Sequence, residues 1–207
     1  MTIGIFGASS NHLAASYFEA AERLGTMIAE AGDSIIFGGG ADGLMGACAR
    51  GAKEAGGRII GVAQKMFDEP GFLLRDCDEF LMTETMAQRK EQMLSRSDGF
   101  IALPGGIGTM DEFFEAITLK QLGLVHGPLV LLNTNGFYDR LLELLEQMTE
   151  QGFMSKNCLV LVRVCSTGQI GVPTELSDAG IMTGSHIRTA QFVCHAEHLA
   201  PFDMAVA

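Results

Sequence analysis

At 207 residues the chain is long enough for one domain with a substantial core, and 47% hydrophobic against 19% charged residues is a globular balance. A net charge of −11 excludes general binding to nucleic acid or anionic membranes, which needs a basic face, but leaves room for a small anion held by local loops. No apolar run approaches the roughly 18 residues needed to span a bilayer.

The first run, Met1–Gly7, carries no basic leader and reads as a strand over 3–7, followed by the loop Gly7-Ala8-Ser9-Ser10-Asn11 and a helical pattern near 12–31. A strand over 34–38 runs into Gly38-Gly39-Gly40-Ala41-Asp42-Gly43 and a helix near 42–56. Strands over 59–63 and 79–82 precede a helix near 85–97. The strand 99–103 meets the loop Pro104–Thr109 and a helix near 109–123, and the series closes with strand 128–133, helix 136–151 and strand 159–164. Beyond residue 165 the pattern stops; residues 186–195 read as a short strand or a helix, with the choice open. Near-continuous apolar strands alternating with helices predict an α/β fold: a doubly wound, Rossmann-like parallel sheet in three layers. Residues 1–164 form this domain and 165–207 an extension whose role cannot be read. Five cysteines (Cys48, Cys77, Cys158, Cys165, Cys194), an odd number without a CxxC pair, point to a reduced, cytoplasmic protein.

Ligands of such sheets sit beyond the C-terminal ends of the strands, where the three glycine- or serine-rich loops should open. Pro104-Gly105-Gly106-Ile107-Gly108-Thr109-Met110-Asp111-Glu112 is the most informative of them. Glycines allow close approach to the backbone, and the free N–H groups of a helix start attract an anion. The carboxylates of Asp111 and Glu112 follow at once, and a pure phosphate cradle gains nothing from them. Thr109-x-x-Glu112 also matches a capping box, and this structural reading weighs about evenly against a catalytic one. The two are compatible, since a first-turn carboxylate is kept ionised by the helix dipole.

Gly38-x-Gly40-x-x-Gly43 has the dinucleotide spacing, but the next strand ends in Gln64-Lys65 where that fingerprint requires an acidic residue. A tight turn with close packing is the better reading, and a phosphate or sugar contact fits as well. There is no GxxxxGK[ST] loop and no GxSxG elbow. Thr85-Met86-Ala87-Gln88-Arg89-Lys90 opens a helix with a Thr-x-x-Gln cap. At about 100° per residue, Met86, Met93, Leu94 and Ser97 share a face, Lys90 falls within it and Arg89 at its edge. Snorkelling explains Lys90; the functional reading aims both cations at the anion crevice. Cys194-His195-x-x-His198 and His186 make a poor metal site, and no metal is expected.

Gly38-Gly39-Gly40-x-x-Gly43-Leu44-Met45-Gly46, Met86-x-x-Arg89-Lys90 and Pro104-Gly105-Gly106-x-Gly108-Thr109-x-x-Glu112 together resemble the Lonely Guy family, over about residues 3–164. These are cytokinin riboside 5′-monophosphate phosphoribohydrolases, whose bacterial members are often mislabelled lysine decarboxylases. The resemblance implies hydrolysis of the N-glycosidic bond of an adenine-type nucleoside 5′-monophosphate (AMP or an N6-substituted AMP), giving free base and ribose 5-phosphate. It implies catalytic roles for Arg89 and Glu112. It assigns the nucleotide to Gly105, Gly106, Ile107, Gly108, Thr109, Met110 and Asp111, with Ser9, Gly39, Gly40, Glu69, Met86, Lys90 and Thr118. It further implies no cofactor, and a homodimer or an assembly of dimers with each site near the subunit interface. Where the family has Met-His-Glu-Arg-Lys this chain has Met86-Ala87-Gln88-Arg89-Lys90, and Leu119 replaces the tryptophan of Trp-x-Gln-Leu-Gly. The Cys-Gly-Ser-Ser segment appears as Phe6-Gly7-Ala8-Ser9. These changes bear on base preference more than on reaction type. The rival reading is a non-catalytic nucleotide or phosphorylated-cofactor carrier on the same fold, such as a molybdenum-cofactor carrier. A pyridoxal-phosphate decarboxylase finds no lysine placed to recommend it.

Overall fold

The computed structural model describes residues 1–166. Its strands are β1 (Thr2–Phe6), β2 (Ser34–Phe37), β3 (Ile59–Gln64), β4 (Glu79–Thr83), β5 (Gly99–Ala102), β6 (Leu129–Leu132) and β7 (Val162–Cys165), all paired in parallel. Helices α1 (Ala15–Glu30), α2 (Gly43–Glu54), α3 (Met86–Ser95), α4 (Ile107–Gln121), α5 (Asp139–Glu150) and the short α6 (Lys156–Leu159) join them. The order β4-β3-β2-β1-β5-β6-β7 makes one seven-stranded, doubly wound sheet, as the alternation predicts.

The period-2 geometry of strands divides the core into two layers. Ile3 and Ile5 of β1, Ile35 and Phe37 of β2, and Ile101 of β5 pack with Leu24, Ile28, Leu44 and Cys48 of α1 and α2. Their alternates Phe6, Ile36, Phe100 and Ala102 pack with Met93, Phe113 and Ile117 of α3 and α4. The chain leaves β1 in one direction for β2 and adds β5 on the other side, with Phe6 in register with Ala102. This reversal opens a crevice beyond the ends of β1 and β5, the usual ligand position in such sheets.

Most boundaries shift by one to three residues, α1 and α5 each starting three residues late, and two of the shifts have an identifiable cause. The predicted strand 159–164 begins three residues late, because Ser155 caps the short α6 by accepting from the Asn157 N–H at 3.3 Å. Helix α4 begins at Ile107 with Gly106 as its N-cap and no side-chain cap, so Thr109 is not the cap that its sequence pattern predicts. The capping box at Thr85–Gln88 is present as read. The expectations for residues 186–195 and for Cys194, His195, His198 and His186 lie outside the described residues. No helix among the described residues is long and apolar enough to cross a membrane.

Candidate active site

The loops at the crevice are tied to one another by main-chain hydrogen bonds. Leu103 N–H donates to Phe6 O at 2.8 Å and Ala8 N–H to Pro104 O at 3.1 Å, joining the β1 and β5 loops. The N–H donors of the β2 loop are taken up by neighbouring segments. Ala41 N–H donates to Phe72 O, Leu44 N–H to Ala8 O, and Gly43 N–H to Asn11 Oδ1 at 2.8 Å. Gly43 sits at φ +65, where any side chain would collide with the backbone of Ala8 and Ser9. Helix α2 therefore offers no open N-terminus, and the tight-turn reading of Gly38–Gly43 holds. Gly39 and Gly40 are buried, with Gly40 bridged to Leu73.

At α4 the opposite is true. Gly106, Ile107 and Gly108 are exposed, and the first intrahelical bond of the turn is Met110 N–H to Gly106 O at 3.0 Å. The N–H groups ahead of it have no acceptor within the helix and stand at the positive end of a 15-residue helix, the general setting in which an anion binds. Glu112 lies on the same helix face as Gly108, one turn or about 6 Å further along.

The carboxylate of Glu112 is buried, 7% exposed, and so is Arg89 at 6%. Arg89 Nη1 donates to Glu112 Oε1 at 2.6 Å and Nε donates to Val62 O at 3.2 Å, while Nη2 lies against Gly38. The wheel placed Arg89 at the edge of its helix face and Lys90 inside; the structure reverses this, because Glu112 and the β3 carbonyl supply polar partners that a single helix cannot reveal. Burial pushes Glu112 above the usual carboxylate range, and Arg89 pulls it back. The expected stabilisation by the helix N-terminus is not the governing effect, since the early start of α4 moves Glu112 into the second turn.

Lys90 turns to carboxylates. Its Nζ lies 2.9 Å from Asp111 Oδ2 and 2.7 Å from Glu115 Oε2, and the hydrogen bonds to Glu115 and Asp111 raise its pKa. A small recess beside the pair is lined by Phe6, Lys90, Met93, Leu94, Glu112 and Glu115. Sequence reasoning did not single out Glu115; its spacing of four from Asp111 on a helix was the available signal.

The structure thus brings Arg89, Glu112, Lys90 and Asp111 together beside the loop Gly105–Thr109. Ser9 is exposed on the adjoining β1 loop, and Met86 is half-exposed at the start of α3. Glu69 lies on the exposed turn where Phe72 N–H donates to Glu69 O. Thr118 lies three turns along α4 on its exposed side, donating to Phe114 O, and stays apart from the loop within one chain.

A Rossmann-like sheet with an exposed, glycine-rich helix start beside a buried Arg–Glu pair defines an α/β protein with a candidate anion site. A family model described as "Possible lysine decarboxylase" matches residues 45–172. The chain is 37% identical over 165 residues to a protein of Oryza sativa subsp. japonica named "Probable cytokinin riboside 5'-monophosphate phosphoribohydrolase LOGL3", covering 80% of this chain and 78% of that one. It is 37% identical over 153 residues to "Cytokinin riboside 5'-monophosphate phosphoribohydrolase LOG2" of Arabidopsis thaliana, covering 74% and 72%. Among solved structures, the molybdenum cofactor carrier protein of Chlamydomonas reinhardtii superposes with a TM-score of 0.60 at 29% identity, covering 79% of this chain and 88% of that one. The chain belongs to the Lonely Guy family of cytokinin riboside 5′-monophosphate phosphoribohydrolases.

Proposed function

We propose that this protein hydrolyses the N-glycosidic bond of an adenine-type nucleoside 5′-monophosphate, releasing free base and ribose 5-phosphate. The buried Arg89–Glu112 pair at 2.6 Å carries the reading. Removing two charges from water is costly, and a carrier that only holds a phosphate ester has no use for such a pair beside its binding loop. An N-glycosidase does. As the C1′–N bond breaks, its electron pair leaves with the base and positive charge develops on the ribose ring. A fixed carboxylate stabilises that charge and orients the attacking water; its oxygen adds to C1′, and the proton it loses balances the one the departing base nitrogen gains.

In this reading the N–H groups of Ile107–Thr109 take the 5′-phosphate. The one-turn separation along α4 then sets Glu112 at the distance of the anomeric carbon. Arg89 acts mainly on Glu112: its double anchorage to Val62 and Glu112 fixes the carboxylate rotamer and favours the ionised form. Lys90, held between Asp111 and Glu115, stands beside the Arg89–Glu112 pair at the α4 loop. Glu69, Met86 and Thr118 join the site only if a second chain or a moved loop supplies them. Exposed apolar residues on and after α4 (Phe114, Leu122 and Leu124) support a homodimer packed on this face. The domain comprises residues 1–164; Cys165 is disulfide-bonded, so the odd cysteine count does not by itself argue for the reduced, cytoplasmic setting that the sequence reading expects.

Incubation with AMP and with N6-isopentenyl-AMP, followed by chromatography for free base, tests the proposal. Base release from either is the expected result; folded protein that releases no base from any nucleoside monophosphate overturns it. The carrier reading, favoured by the structural likeness to the Chlamydomonas protein, predicts instead that calorimetry finds a tightly bound phosphorylated ligand returned intact.

A further inference from the structure

The phosphate loop has a support that none of its own motifs contains. Strand β5 ends at Ala102, in register with Leu131 of β6. The next carbonyl, Leu103 O, belongs to a residue 1% exposed and directly precedes Pro104. Strand β6 cannot serve it, because the first N–H beyond β6, that of Asn133, donates to Cys165 O on the far side at 2.7 Å. Proline brings no N–H of its own to the turn. The donor comes from elsewhere: the hydroxyl of Tyr138, a side chain only 1% exposed, reaches Leu103 O at 2.6 Å.

Tyr138 is itself held at its main chain. Its N–H donates to Asn133 Oδ1 at 2.7 Å, Asn133 Nδ2 donates to Asp139 Oδ1 at 2.7 Å, and Leu142 N–H donates to Tyr138 O at the start of α5. Burial raises the phenol pKa, so the hydroxyl donates throughout the working pH range. Because the peptide is planar, fixing Leu103 O also fixes the direction in which Pro104 leaves the sheet. Pro104 O then accepts from Ala8, and Gly105, Gly106 and the first N–H groups of α4 follow in a chain with little slack.

We propose that Tyr138 is a positioning residue for the 5′-phosphate, setting the peptide between Leu103 and Pro104 and through it the aim of the α4 N–H groups. This rests on the phosphoribohydrolase reading above and extends it to a residue that does not touch substrate. Tyr138→Phe keeps the ring and removes one hydroxyl, leaving a buried carbonyl free to turn. The readout is calorimetric titration with ribose 5-phosphate, which is not consumed, beside steady-state kinetics on AMP.

The variant is expected to weaken ribose 5-phosphate binding about tenfold, in keeping with the loss of one well-made hydrogen bond. KM for AMP should rise by a similar factor, with a much smaller change in kcat. Leu145→Ala, at a buried position of α5, should lower the melting temperature and leave ribose 5-phosphate binding unchanged. Asn133→Ala loosens Tyr138 from the main-chain side and should shift binding in the same direction should Tyr138→Phe fold poorly. Ribose 5-phosphate affinity within twofold of wild type in folded Tyr138→Phe or Asn133→Ala overturns the inference alone. Wild-type protein that neither binds ribose 5-phosphate nor cleaves AMP overturns the parent reading, and this one with it.

Discussion

Gly38→Ala should disable the site without touching a charged residue. Gly38 does not need a positive φ, so alanine fits its backbone without strain. The added Cβ lies 3.2 Å from Met45 Sδ and 3.3 Å from Arg89 Cζ, and it overlaps Arg89 Nη2 outright. The guanidinium must withdraw by about 1 Å to reach ordinary contact. Arg89 cannot do so while keeping Nη1 at 2.6 Å from Glu112, so the buried carboxylate loses its partner. Breaking a buried ion pair from one side costs about 3–5 kcal/mol, which lowers the melting temperature of a domain this size by roughly 10 °C. Under the proposed mechanism, a displacement of about 1 Å in the Glu112 carboxylate, once it has lost its partner, costs on the order of 100-fold in turnover. Scanning calorimetry and AMP turnover measure the two effects. A double-mutant cycle isolates their cause: in an Arg89→Ala background, Gly38→Ala should shift the melting temperature by about 1 °C or less, because the group it strikes is gone. Equal destabilisation in both backgrounds, or wild-type turnover in Gly38→Ala, would refute the steric coupling of Gly38 to Arg89.

Other consequences follow from the same geometry. Since burial raises the Glu112 carboxyl and the reaction needs its ionised form, the acid limb of kcat against pH should fall above the ordinary glutamate value of about 4.3; a limb at or below that value contradicts the assignment. The raised folded-state pKa also means that protonation of Glu112 stabilises the fold. That contribution is full below the unfolded-state pKa and is lost as pH rises through the folded-state one, so wild type measured against Glu112→Gln should gain stability on acidification. Gln88→Ala removes half of the box that starts the Arg89-bearing helix, with Gln88 Oε1 accepting from Thr85 N–H at 3.3 Å. It should cost about 1 kcal/mol, or roughly 2–4 °C in thermal melts; an unchanged melting temperature would show that tertiary packing alone holds α3.

The sheet was legible because parallel strands covered on both faces are nearly all apolar. Runs such as Ile59–Ala63 and Gly99–Leu103 stand out without any partner being known. The start of α4 was not legible, since Thr109 and Glu112 offer a well-formed local cap while Gly106, the true N-cap, carries no side-chain signal. The burial of Arg89 was misjudged for a related reason. A helical wheel ranks residues by the company they keep on one helix, and the partners that make its burial tolerable, Glu112 and Val62 O, arrive from α4 and β3. The need for glycine at position 38 and the reach of Tyr138 to Leu103 are contacts between distant segments, and no local pattern encodes them. Glycine spacing did reveal where the chain turns sharply, but not which turn keeps its N–H groups free. That distinction depends on Asn11, Ala8 and Phe72, which close the α2 entrance and leave α4 open.

In the proposed reaction the Arg89–Glu112 pair cuts a nucleotide that the α4 loop holds. The most direct measurement compares wild type with Glu112→Gln for adenine released from AMP, with AMP binding followed by calorimetry on the variant. Wild type should yield free adenine and ribose 5-phosphate in equal amounts, with turnover lost and AMP still bound in the variant. Near-wild-type adenine release by Glu112→Gln would contradict it.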